Sequence, residues 1–259
     1  MMFIAPTAEN GPLVISMAYP IRESMFYCPG LSPGVDVVTL DGEEAHHILT
    51  SRRRAVGDAI WIFDGRGTVA RATILAKERR ARTLRVQVQE REFVPRVRPH
   101  VELACALPKG ERQAVLLDMA TQLGITDFRP LLCERSIARP GPQAVRRWHR
   151  ICIEACKQSR RPHVPVVHAA LTPAQAVASA NSDCAIWVAD QQGTPLHARP
   201  SPRTKHLLLM VGPEGGFTDA EITSVADSGA QLVSLGAGIL RVETAAITLL
   251  AHVMLSSGA

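Results

Sequence analysis

The chain lacks several signatures that would assign a function quickly. No run of 18 apolar residues occurs, so no membrane-spanning helix is expected. No G-x-x-x-x-G-K-[ST] occurs, which argues against a P-loop. None of the six cysteines (Cys28, Cys105, Cys133, Cys152, Cys156 and Cys184) forms a C-x-x-C pair. Cys152 and Cys156 sit one helical turn apart with no matching second pair, so no zinc site and no other metal is expected. Buried thiols in a reducing compartment are the better reading, and a cytoplasmic location is the expectation. Lysine is scarce: Lys77, Lys109, Lys157 and Lys205 are the only ones among 29 basic residues. With the many alanines, this arginine excess is compatible with genome base composition and carries no functional argument. The N-terminus lacks a basic segment followed by a long apolar one. Its mildly apolar stretch Pro12–Met17 is therefore a poor signal peptide. Residues 1–24 are expected to be an extension, or to follow from an upstream start, with the folded body beginning at about Met25.

What the chain does have fits a globular enzyme. Its 259 residues are 46% apolar and 20% charged, enough for one large or two modest domains with a real core. A net charge of +5 and a pI near 9.1 weakly suggest a polyanionic partner. Residues 25–93 read as a small β domain. Val35–Leu40, Val56–Gly65, Thr68–Leu75 and Thr83–Gln89 are short and largely alternating, with Gly42–Leu49 as a short helix among them. Short strands punctuated by Gly and Asp turns suggest a small barrel. Residues 94–100 carry two prolines and dense charge and read as a linker. From Val101 to Ala259, strands and helices alternate, which implies a mostly parallel sheet covered by helices. Expected strands are Val101–Leu107, Asp127–Cys133, Val164–Ala169, Cys184–Ala189, Leu207–Val211 and Leu232–Leu235. Expected helices are Arg112–Leu123, Gln143–Ser159, Pro173–Ala180, Thr218–Ser228 and Glu243–Leu255.

Two glycine-rich segments close that region: Met210-Val-Gly-Pro-Glu-Gly-Gly-Phe217 and Leu235-Gly-Ala-Gly-Ile-Leu-Arg-Val-Glu-Thr-Ala245. Each follows or closes an apolar strand and leads into a helix, and Thr218-x-x-Glu221 is a capping box that fixes one helix start. Strand–glycine–helix turns expose backbone amides and carbonyls to a nucleotide-like ligand. A Rossmann fingerprint does not fit: Gly236-Ala-Gly238 opens that way, but Arg241 stands where the third glycine belongs, and the chain ends too soon for the rest of the unit. Each loop taken alone is equally a tight structural turn.

Together these loops resemble the RsmE family, 16S ribosomal RNA (uracil-N3)-methyltransferases of the SPOUT superfamily. The resemblance extends upstream through Ala106-Leu-Pro-Lys-Gly110, Ala120–Ile125, Pro130–Ser136, Arg147-Trp148 and Glu154–Ser159 with Arg161, and covers roughly residues 25–257. Departures are Ala237-Gly238, where the family usually has Pro-Arg or a similar pair, and Met119 and Gln122 in place of a usual lysine and glutamate. The resemblance implies an α/β fold: a C-terminal SPOUT-type domain with a trefoil-knotted parallel sheet (101–259) and an N-terminal PUA-like RNA-binding β-barrel domain (25–93). It also implies S-adenosyl-L-methionine as cofactor, 16S rRNA of the small ribosomal subunit as partner, a homodimer built through the apolar last helix, and methylation at N3 of a uridine. Periodicity alone would never suggest a knot, and a buried intramolecular last helix is the rival to the dimer.

Site residues carried by the resemblance are Met210, Gly212, Gly215, Gly216, Leu235, Gly236, Ile239, Leu240 and Thr244 for the cofactor. Asp190 and Gln191 supply a third loop after the Cys184–Ala189 strand. Uridine N3 is protonated, so a base or charge-stabilising groups would help. Arg241 is the candidate stabiliser, and Glu214 and Glu243 are candidate bases. For both glutamates a structural role is the default alternative, Glu243 capping or pairing at the start of the last helix and Glu214 holding its own loop. Arg52, Arg53 and Arg54, with Arg147 and Arg161, are RNA-binding candidates because a planar guanidinium suits phosphate. A solvated turn or helix face is the alternative for each. Ribose 2′-O-methylation and a non-catalytic RNA-binding assembly factor remain as other functions.

Overall fold

The computed structural model describes residues 23–40, 42–50, 52–78, 83–96, 98–198 and 204–256. The expected extension at 1–24 thus falls almost wholly outside the described residues, as does Ser51 of the Ser51–Arg54 cluster.

The N-terminal elements are β1 (Met25–Tyr27), β2 (Val37–Leu40), α1 (Gly42–Thr50), β3 (Ala59–Phe63), β4 (Thr68–Glu78) and β5 (Thr83–Phe93). They form a five-stranded sheet in the order β1-β3-β4-β5-β2, antiparallel except for the β1–β3 pair. Strict alternation in β5 puts Leu84, Val86 and Val88 inward with Ile60, Ile62, Ala72 and Ile74, and Ala45 and Ile48 of α1 close the cluster. The β4–β5 ladder slips register at Arg71/Ala72 and Ile74/Ala76.

The C-terminal elements are β6 (His100–Ala106), α2 (Arg112–Leu123), β7 (Asp127–Leu131), α3 (Ala144–Ser159), β8 (Val166–Val167), α4 (Pro173–Ala178), β9 (Cys184–Pro195), β10 (His206–Val211), α5 (Asp219–Asp227), β11 (Gln231–Ser234) and α6 (Val242–Ser256). All six strands run parallel, in the order β11-β9-β10-β6-β7-β8. Strand parity divides the core. Val101, Leu103, Cys105, Leu207, Leu209 and Val211 pack with α2, α3 and α6. Ala104, Ala106, Leu208 and Met210 pack on the other face with Ala176 and Val177 of α4 and Val225 of α5. A sheet buried on both faces explains why these strands read as continuous apolar runs rather than as alternating ones.

The two sheets are not independent bodies. Met25, Phe63 and Val69 of the first belong to the same buried cluster as α2, α3 and α6. Main-chain bonds Gly67 N–Pro162 O (3.1 Å) and Val164 N–Gly65 O (2.9 Å) join the β3–β4 turn to the segment after α3. Lys157 of α3 reaches Glu44 of α1 at 2.7 Å, and Arg150 pairs with Glu43.

Several elements differ from expectation: β1 is an additional strand, β4 and β5 run on to Glu78 and Phe93, β8 is only Val166–Val167, and α4 ends at Ala178; the difference that matters to the site is in β9. β9 continues to Pro195 instead of stopping at Ala189. Its ladder with β10 ends at Ala189, and its ladder with β11 jumps from Leu232↔Val188 to Val233↔Thr194. Residues 190–193 therefore have no partner in either ladder, in the middle of an extended segment.

Candidate active site

A cleft of about 670 Å³ opens at the C-terminal ends of β10 and β11 and beside the middle of β9, on the edge of the sheet where open α/β folds present ligand sites. Three segments form it: 189–192, where β9 leaves its ladder with β10, 211–217 from the end of β10 onward, and 235–242 from the end of β11 to the start of α6. Each is shaped by local chemistry. Asp190 Oδ1 accepts the Gln192 amide at 2.8 Å and so fixes the backbone where β9 has no ladder partner. Thr218 and Glu221 form the expected capping box, which fixes the exit of the second segment into α5. Glu221 also accepts the Glu134 amide at 2.9 Å, and Arg135 donates to the carbonyls of Gly215 (2.8 Å) and Phe217 (3.2 Å). The loop after β7 thus braces the glycine turn from outside. Gly216 and Gly236 have φ of 70° and 127°, values that side chains with a Cβ rarely adopt.

Of the cofactor residues expected from the sequence, Asp190, Gln191, Gly212, Gly215, Gly216, Leu235, Gly236, Ile239 and Leu240 all line this cleft. Met210 and Thr244 do not. Met210 is fully buried in the core on the α4–α5 face, because strand parity turns it away while Val211 meets the cleft. Thr244 is exposed, since Val242 and Ala245 occupy the inward face of the first turn of α6. Asp190 and Gln191 lie within an extended strand rather than in a loop at its end.

The cleft suits an adenosyl sulfonium ligand. A Cβ built on Gly216, Gly236 or Gly238 would meet nothing within 4 Å, so backbone at these positions faces open space. Ile239 is 85% exposed and Leu235 and Leu240 are partly so, leaving apolar surface for a flat base to cover. Backbone amides and carbonyls would hold the base and ribose, and Asp190 would hold polar groups.

The catalytic candidates lie at two places around this cleft. Glu214 lines it directly. Arg241 is exposed, and its carbonyl accepts the Ala245 amide at 2.9 Å, which starts α6. Glu243 is largely buried. A residue that sequence reading missed joins the two glutamates: Arg112, the first residue of α2, lies 3.5 Å from Glu214 and 3.6 Å from Glu243. Arg135 and Gly193 were also missed. Only the short Gln191-Gln-Gly-Thr194 turn signal could have flagged Gly193.

The RNA candidates have different surroundings. Arg52 and Arg53 are exposed after α1, and Arg54 pairs with Glu23 at 3.0 Å. Arg147 donates to Gln113 Oε1 at 2.8 Å, an oxygen shared with the buried Trp148 indole, yet remains mostly exposed. Arg161 has another task. Its guanidinium donates to the carbonyls of Gln122 (2.7 Å) and Leu123 (3.3 Å) and so satisfies the open end of α2. The α1–α3 ion pairs put the Arg52–Arg54 segment and Arg147 on adjoining elements.

Burial pushes the thiols up, Cys133 and Cys156 to about 12 and Cys152 to about 11, which keeps them protonated and unreactive. Among the described residues no cluster of three His, Cys, Asp or Glu is placed to hold a metal ion, and no helix is long and apolar enough to cross a membrane.

Comparison with known proteins gives a consistent picture. The RNA methyltransferase domain family matches residues 96–254, and the RNA methyltransferase PUA domain family matches residues 40–86. The ribosomal RNA small subunit methyltransferase E of Mycobacterium bovis is 32% identical over 238 residues, spanning 88% of this chain and 90% of its own length. That of Synechocystis is 35% identical over 221 residues, spanning 83% and 72%. The crystal structure of a ribosomal RNA small subunit methyltransferase E from Neisseria gonorrhoeae bound to S-adenosyl methionine superposes with a TM-score of 0.79 at 28% identity, covering 88% of this chain and 95% of that one.

Proposed function

The chain belongs to the ribosomal RNA small subunit methyltransferase E family, and from that premise we propose that it methylates N3 of a uridine in 16S rRNA of the small ribosomal subunit, with S-adenosyl-L-methionine as donor. The observation that carries the reading is the cleft of about 670 Å³ walled by residues 189–192, 211–217 and 235–242. Its open glycine backbone and exposed Ile239 suit an adenosine, and a relative of similar fold is described as bound to that cofactor.

When bound, the cofactor supplies a methyl group on a cationic sulfur. The chain's own residues then have three tasks. Glycine turns and apolar side chains orient the donor so that its methyl meets the acceptor nitrogen in line. Glu214 or Glu243 removes the N3 proton, and Arg241 stabilises the negative charge that spreads over the uracil. Because N3 lies on the pairing edge, the base must be unpaired or turned out of its stack. Arg52, Arg53, Arg54 and Arg147 grip the RNA backbone.

We divide the chain into a PUA-like RNA-binding domain (25–93), a linker (94–100) and a SPOUT methyltransferase domain (101–259). The trefoil knot comes from the family resemblance, and the strand order β11-β9-β10-β6-β7-β8, with β10 between β9 and β6, accords with it. The exposed Leu255 and Ile239 and a second cavity beside α6 support a homodimer through that region. The cytoplasm is the matching compartment. Ribose 2′-O-methylation finds less support, because the family match extends through the N-terminal PUA region.

The test is genetic and chemical. Deleting the gene should remove one 3-methyluridine from 16S rRNA, seen by mass spectrometry of nucleosides, and a plasmid copy should restore it. An unchanged 3-methyluridine content would refute the reading.

A further inference from the structure

Three charged side chains from three separate elements meet beside the cleft. Arg112 opens α2, Glu214 lies in the turn after β10, and Glu243 lies in the first turn of α6. Arg112 Nη2 is 3.5 Å from Glu214 Oε1, and Arg112 Nη1 is 3.6 Å from Glu243 Oε1. The two carboxylates are not equivalent. The Glu243 side chain is 13% exposed, and its Oε2 is buried with no hydrogen-bond partner. The Glu214 side chain is 35% exposed and lines the cleft.

This asymmetry divides their roles. A general base must come within hydrogen-bond reach of the proton it removes. Glu243 Oε2 is shut off from anything lying in the cleft, whereas Glu214 is open to it. A buried carboxylate with an unpaired oxygen is costly unless a cation stands beside it, and Arg112 is that cation. Glu243 thereby anchors one nitrogen of a rigid, planar fork, and the other nitrogen faces Glu214. One guanidinium also cannot neutralise two carboxylates. It stands between one buried carboxylate and one that reaches the cleft.

We propose that Arg112 is a positioning residue: held by the buried Glu243, it fixes Glu214 at the cleft, and Glu214 alone takes the proton from uridine N3. In the step, a Glu214 oxygen receives the N3 proton. The N3 electron pair forms the new N–C bond, the C–S bond of the sulfonium donor breaks, and its electrons leave the sulfur neutral as a thioether. Glu243 touches no reacting atom. The inference rests on the N3-methylation reading above.

The experiment uses the full-length enzyme, small subunits lacking the modification, and the variants Glu214→Gln, Arg112→Gln, Arg112→Lys, Glu243→Gln and the double variant Arg112→Gln/Glu243→Gln. Glu214→Gln should lower kcat by about 10²-fold or more, a loss much larger than any change in affinity for S-adenosylmethionine. Arg112→Gln and Glu243→Gln should each lower kcat with little change in KM. The double variant should be no worse than Arg112→Gln alone, and Arg112→Lys should recover part of the rate. If Arg112→Gln fails to fold because it leaves Glu243 unpaired, the double variant removes both charges and still tests the coupling. Losses at Arg112 and Glu243 that multiply, or a Glu214→Gln enzyme as fast as wild type, would overturn the proposal. A wild-type reaction that yields no 3-methyluridine would instead overturn the underlying function.

Discussion

Gly193 offers the sharpest test of how the cleft is built. It sits at the end of the β9 segment that has no partner in either ladder, directly against β11. A Cβ placed there would lie 2.4 Å from Val233 N, 2.5 Å from Leu232 C and 2.7 Å from Val233 C. All three are backbone atoms, so no rotamer change relieves the contact. Either β11 moves away from β9, or residues 189–193 refold. Both routes alter the wall that Asp190 and Gln191 contribute to the cleft. Overpacking of this kind costs about 1–3 kcal/mol, which for a chain of this size lowers Tm by about 2–12 °C. The same strain should weaken cofactor binding roughly tenfold or more if about 1.4 kcal/mol of it appears only in the bound geometry. Calorimetric titration with S-adenosylmethionine and thermal melting of Gly193→Ala would measure both. Two alanine controls separate the causes. Gly238→Ala adds a methyl in open space at the cleft and should change binding while leaving Tm unchanged. Gly141→Ala also meets nothing within 4 Å but lies away from the cleft, and should change neither. A Gly193→Ala protein that binds and melts like wild type would refute the reasoning.

Other consequences follow from charges and caps. Burial of Asp127 raises its pKa, but the His100 and His168 imidazoles beside it, 2.7 Å and 2.6 Å away, outweigh this and bring it from 3.8 to about 2. A depressed carboxylate pKa stabilises the fold above its unfolded value and loses that contribution as pH falls through the folded one. About 2 kcal/mol should therefore disappear between about pH 4 and 2 in wild type and be absent from the pH profile of Asp127→Asn, read by chemical denaturation. Arg161→Ala should cost about 1–3 kcal/mol of stability by leaving the Gln122 and Leu123 carbonyls unpaired. Arg53→Ala should leave Tm alone and weaken RNA binding with a shallower salt slope; the reverse pattern in melting and filter-binding assays would contradict this division. Thr218→Ala removes one half of the α5 capping box and should cost about 1 kcal/mol, seen as a drop in Tm of about 2–4 °C.

Much of this arrangement is legible in the amino-acid order, because much of it is local. The alternation in Thr83–Gln89, the apolar runs at Val101–Leu107 and Leu207–Val211, and the Thr218–Glu221 box each depend on residues within one turn or one strand. The glycine turns are visible for the same reason, since chemistry and spacing sit in one segment. What escaped detection depends on partners far apart in the chain. Arg112 gains its meaning from Glu214 and Glu243, more than one hundred residues later. Arg161 resembles a surface arginine until α2 ends above it. Met210 and Val211 look alike as a pair, and only strand parity decides that Val211 meets the cleft while Met210 fills the core. The extension of β9 past Ala189 hides behind Asp190, Gln191 and Gly193, which read as a turn; the register jump against Leu232 and Val233 exists only once β11 is in place.

The most direct test of the whole account is methyl transfer in vitro. Purified protein, labelled S-adenosylmethionine and small ribosomal subunits from cells lacking the gene are combined, and the labelled nucleoside is identified by mass spectrometry. The account predicts label in 3-methyluridine alone. Label in a 2′-O-methylated nucleoside, or none in the presence of bound cofactor, would contradict it.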